Sequence, residues 1–150
     1  MSELPSWLTT LQRVREHRRD AAWQSLAERL QTATHVRDAT SRVVQAISQL
    51  RDTQQQNSQA GRLDFERLRQ LRRDRDEWQT QLTQLQQEQS HADTAVRQAQ
   101  SLAADKESEV EVLQRLSDRL LTSQLQARRR IDEQSTLESA LSLCNGRLGD

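Results

Sequence analysis

The sequence predicts an all-α protein, a long antiparallel two-helix coiled-coil hairpin with the second helix longer than the first, formed by residues 1–150 as a single unit. Helix breakers are nearly absent, with three Gly and one Pro in 150 residues. Apolar residues recur in alternating steps of three and four, the repeat of a coiled-coil seam. A single polar break containing glycine separates two such seams. Sheets, hairpin turns and glycine-loop nucleotide sites need punctuation that this chain lacks.

The first helix is expected over residues 6–56. Ser6 follows Pro5 and is a suitable N-cap, because its hydroxyl can accept a hydrogen bond from an otherwise orphaned backbone N–H. A seam runs through Ala22, Leu26, Arg29, Ala33, Val36, Thr40, Val43, Ile47 and Leu50. Ahead of Ala22 the apolar residues Trp7, Leu11 and Val14 suggest a shift of register leading through Arg18 to Ala21. The turn is expected over residues 57–62. Asn57 and Ser58 favour local side-chain to backbone bonds there, and Gly61 can take the left-handed conformation that ends a helix.

The second helix is expected over residues 63–145, with Asn145, Gly146 and Gly149 as its stop. Its seam passes through Leu68, Leu71, Arg75, Trp78, Leu82, Leu85, Gln89, Ala92, Val96 and Ala99, then through Ala103, Lys106, Val110, Leu113, Ser117, Leu120, Gln124, Ala127, Ile131 and Gln134. A turn centred near Gln59 pairs residues whose numbers add to about 119. That register sets Ala33 opposite Leu85, Leu26 opposite Ala92, Ala22 near Val96 and Ala99, Trp7 near Val110 and Leu113, and Leu50 opposite Leu68 and Leu71. At 1.5 Å per residue the arms span roughly 75 and 120 Å, leaving about 30 residues of the second helix without an intramolecular partner. Leu116, Leu120, Leu121, Leu125, Ile131, Leu137, Leu141 and Leu143 continue into that overhang, so a second copy or another protein is expected to cover it, unless the end frays into disorder.

Composition narrows the function classes. The 22 basic residues balance the 22 acidic ones, and only 3% of residues are aromatic, so neither nucleic acid nor an anionic membrane surface is implied. No apolar run approaches the roughly 18 residues of a membrane span. The N-terminus lacks a signal-peptide pattern, and the single Cys144 has no intramolecular disulfide partner. From these a cytoplasmic protein without direct membrane insertion is expected. His17, His35 and His91 do not converge in the hairpin, so no metal or other cofactor is expected. The acidic residues Asp105, Glu107, Glu109, Glu111, Asp132 and Glu133 read as a solvated face, and two slender helices enclose no catalytic pocket. The protein is therefore expected not to be an enzyme. Two surfaces stand out: the overhang with Arg128, Arg129 and Arg130 beside Ile131, and the turn end, where Ile47, Leu50, Phe65, Leu68, Leu71 and Arg72 cluster. The second serves equally as the cap of the hairpin core or as a partner patch.

The stretch Leu8 to Leu30, with Leu11-Gln12-Arg13-Val14-Arg15-Glu16, Asp20-Ala21-Ala22 and Leu26-Ala27, resembles the N-terminal segment of FliJ-type flagellar export proteins. Lys106-Glu107 to Leu113, Arg119, and Arg128-Arg129-Arg130-Ile131-Asp132-Glu133 are similar to that family's closing segment. The tip departs from the family, whose members often carry more aromatics there than the lone Phe65. The resemblance implies a non-enzymatic, stalk-like component of the type III protein export apparatus, with an additional role in handling export chaperones as partners. Leu116, Leu120, Arg128, Arg129, Arg130, Ile131 and Leu137 would then meet the hexameric export ATPase. Ile47, Leu50, Phe65, Leu68, Leu71 and Arg72 would meet the membrane-embedded export gate. A peripheral position at the inner membrane follows from those partners. The alternatives are the equivalent stalk of virulence type III secretion, and a structural scaffold that dimerises through its C-terminal overhang.

Overall fold

The computed structural model describes residues 4–59 and 64–148. Two helices make up the fold: α1, Ser6–Gln59, and α2, Phe65–Leu148, of 54 and 84 residues. They pack against each other as an all-α two-helix hairpin. Their contacts divide the chain into two units, Met1–Asp20 with Asp105–Asp150, and Ala21–Ala104.

α1 begins at Ser6, but the cap differs from the expected one. The carbonyl of Pro5 accepts from the N–H groups of Leu8 (3.0 Å) and Thr9 (3.2 Å), which makes Ser6 the first helical residue. A proline loses nothing there, because its missing N–H would have had no helical partner. α2 is capped by Asp64, whose Oδ1 accepts from the Glu66 N–H at 3.1 Å while its carbonyl accepts from the Leu68 N–H at 3.1 Å. Glu66 in the first turn and Arg147 in the last complement the helix dipole. Threonines inside both helices satisfy their hydroxyls on the carbonyl four residues back, as Thr40 does on Val36 (2.8 Å) and Thr122 on Asp118 (2.8 Å).

Both helices run past their expected ends. Asn57 and Ser58 are helical, and Ser58 donates to the Gln54 carbonyl at 3.0 Å. Glutamine is a good helix former, so Gln54-Gln55-Gln56 extends α1 to Gln59 instead of opening a turn. Asn145 and Gly146 are likewise helical, since one glycine costs a helix only about 1 kcal/mol. The expected terminators Gly61 and Gly149, and the rest of the expected turn over 60–62, lie outside the described residues.

Within the Ala21–Ala104 unit, Ala22, Leu26 and Ala103 form a buried cluster against which Val96 and Ala99 pack. Arg37 pairs with Asp93 at 3.5 Å beside Ala33 and Val96. Within the other unit Arg15 meets Glu109 and Gln12 meets Ser117. Partners advance on α1 as they recede on α2, which is the antiparallel arrangement. Their numbers add to between about 124 and 130 instead of about 119, because the extra helical residues of α1 carry the reversal further along the chain. Some expected pairings hold, Ala22 lying with Val96 and Ala99 in one cluster and Leu50 with Leu71 around one pocket; others change, since Leu26 joins Ala103 in that cluster, Ala33 meets Asp93 and Val96, and Trp7 stands outward.

Candidate partner-binding surface

In the unit of Met1–Asp20 with Asp105–Asp150, the start of α1 turns Leu8, Leu11, Gln12, Arg15, Glu16 and Arg19 inward. Leu8 is 0% exposed, whereas Trp7 is 59% exposed and Val14 also faces outward. The expected shift of register is therefore absent. The seam continues backward from Ala22 in the same steps through Arg19, Arg15 and Gln12 to Leu8. Opposite it on α2, Val110 and Ser117 are buried and Lys106, Leu113, Leu120 and Gln124 are half-buried.

Polar seam positions need polar partners, and α2 supplies them. Arg15 Nη1 lies 2.5 Å from Glu109 Oε2, which Lys106 Nζ approaches at 3.6 Å. Arg19 Nε stands 3.2 Å from Asp20 and 3.8 Å from Glu107. Gln12 donates through Nε2 to the hydroxyl of Ser117. The hydrogen bond from Arg15 holds the Glu109 carboxyl below its ordinary pKa. Partial desolvation opposes this, and the charges of Arg15 and Lys106 reinforce it. Glu107 and Glu109 thus belong to the helix interface, not to the solvated face expected of them; Asp105 and Glu111 are exposed. The signal was available in the sequence, because the three-and-four register needs no interruption. Trp7 and Val14 draw attention away from it by being apolar.

Past Gln124 the burial ends. Every residue from Leu125 to Arg147 is exposed, including Leu125, Ile131 (65%), Leu137 (64%), Leu141 and Leu143. Arg128, Arg129 and Arg130 are exposed in the same stretch. Asp132, Glu133, Thr136 and Leu137 line a shallow, open groove. Leu116 and Leu120 differ from this group. Leu116 sits on the outer surface of the paired segment, and Leu120 is half-buried. The reason is the shifted register, which brings the start of α1 as far along α2 as Ser117.

In the Ala21–Ala104 unit, Ile47, Leu50 and Leu71 come together around a small pocket with Arg51, Gln54 and Arg75. Leu68 is half-buried, while Phe65 (69% exposed) and Arg72 face outward. The expected tip set is therefore divided between core and surface. Sequence reasoning missed a further outward series, Trp23, Leu30 and Val44, which follows a seven-residue spacing through Arg37.

His17, His35 and His91 are exposed, as is Cys144. Among the described residues no three acidic, histidine or cysteine side chains are grouped to hold a metal, and no helix is long and apolar enough to cross a membrane. The chain matches no family model, no curated protein and no solved structure.

Proposed function

We propose that this chain is a non-enzymatic, stalk-like component of a flagellar type III protein export apparatus, binding the hexameric export ATPase and linking it to the export gate. The observation that carries the reading is the free length of α2: leucines and an isoleucine from Leu125 to Leu143 stand in water beside three consecutive arginines, with no part of α1 over them. A helix that leaves such a face open gains by burying it against a partner, at about 25 cal/mol per Å² of apolar area. The resemblance of Leu8 to Leu30 and of Arg128 to Glu133 to FliJ-type segments supports the export ATPase ring as that partner.

In this reading Arg128, Arg129, Arg130, Ile131 and Leu137 make the principal ring contacts, and Leu116 and Leu120 border them. Phe65 and Arg72, the outward members of the turn-end set, contact the gate; Ile47, Leu50, Leu68 and Leu71 support them from the hairpin core. The test is direct association with the purified cognate export ATPase, followed by size-exclusion chromatography. Co-elution of the full chain with the hexamer is expected. Self-association of the chain with no ATPase bound would overturn the reading in favour of a scaffold.

A further inference from the structure

The arm of α1 from Ser6 to Asp20 is an unusual cover for the surface beneath it. It lays Gln12, Arg15 and Arg19 over a stretch of α2 that contains Val110, Leu113 and Leu120, while its own Trp7 and Val14 face water. Its one fully buried large side chain is Leu8. Besides Leu8 and the half-buried Leu11, what fixes the arm is polar: the Arg15–Glu109–Lys106 group, the Arg19–Glu107 pair and the Gln12–Ser117 hydrogen bond. The Ala21–Ala104 unit is held differently, by buried Ala22, Leu26, Ala33, Val43, Ala92 and Ala103. Partly exposed ion pairs contribute little each and weaken with salt, whereas apolar contacts do not.

We infer that the α1 arm is a charge-latched, displaceable cover, which on release adds Val110, Leu113 and Leu120 to the apolar face already open beyond Gln124. The geometry supports this because Val110, Leu113 and Leu120 continue in the same three-and-four steps to the exposed Ile131 on one uninterrupted helix, so release lengthens that seam without rebuilding the helix. A released arm loses the packing that supplies most of its helical stability, so it frays from its free N-terminal end and its backbone amides exchange faster with solvent. Opening also returns Arg15 and Arg19 to water, where their hydration replaces the ion pairs. This property belongs to the free chain and holds whichever protein occupies the open face.

The test is hydrogen exchange on the full chain, read separately for residues 8–19 and 22–50. Raising sodium chloride from about 0.05 M to 1 M shortens the Debye length to about 3 Å. It is expected to speed exchange of the arm about tenfold while leaving 22–50 unchanged or slower. Arg15→Glu should reproduce that loss of protection at low salt, and the charge swap Arg15→Glu with Glu109→Arg should restore it. Equal salt response of both segments, or an arm that stays protected in Arg15→Glu, would overturn the latch. The salt comparison uses the unaltered chain and does not depend on how the variants fold.

Discussion

Replacing Ala103 by aspartate is expected to unfold the hairpin, whereas the same change at Ile131 leaves its stability within about 0.5 kcal/mol. Ala103 is 1% exposed and packs with Ala22 and Leu26, with Val96 and Ala99 against them. No cation belongs to that cluster, so a carboxylate placed there is both desolvated and unpaired, and the cost is about 3 kcal/mol or more. Ile131 stands in solvent, so its replacement removes no packing within the chain and costs only the lower helix propensity of aspartate. Urea unfolding followed by far-ultraviolet circular dichroism reads both variants. A shared large loss of stability would mean that the segment beyond Gln124 is covered within the chain after all.

A triple change of Ile131, Leu137 and Leu141 to glutamate should have the opposite profile: folding intact, association with the export ATPase weakened about a hundredfold. Contact residues of this kind each contribute about 1 kcal/mol or more when a partner desolvates them, and about 2.7 kcal/mol in total corresponds to a factor of 100. Glutamate is a good helix former, so the segment should remain helical and the loss should fall on the contact. Unchanged affinity, measured by titration of the hexamer, would remove Ile131 and Leu137 from the ring contact and leave Leu141 outside it.

The two helices were legible because the α2 pattern is physically simple. Its three-and-four seam from Leu68 to Gln124 is the face that packs inward, Arg75 being the exposed exception. Register was harder, because glutamine looks like loop material in composition yet behaves as a helix former. The Gln-rich break therefore hid another turn of α1. Matching large residues with small ones then favoured the wrong offset, whereas Ala22 clusters with Ala103 in the structure. The start of α1 was misread for a related reason. Hydrophobic periodicity favours Trp7 and Val14, but an interface also accepts Arg15 and Arg19 when Glu109 and Glu107 await them. The identity of a covering partner is not contained in the exposed face itself, since any apolar surface satisfies leucine. The proposal of an export ATPase rests on the resemblance of particular segments.

The central claim is that the free segment of α2 engages the ATPase ring, and the rate of ATP hydrolysis tests it most directly. The purified cognate export ATPase is assayed alone, with the full chain, and with a chain ending at Gln124, which keeps every buried and half-buried position of the helix pair. The account predicts faster hydrolysis with the full chain and the unstimulated rate with the shortened one. Equal stimulation by both chains would contradict it.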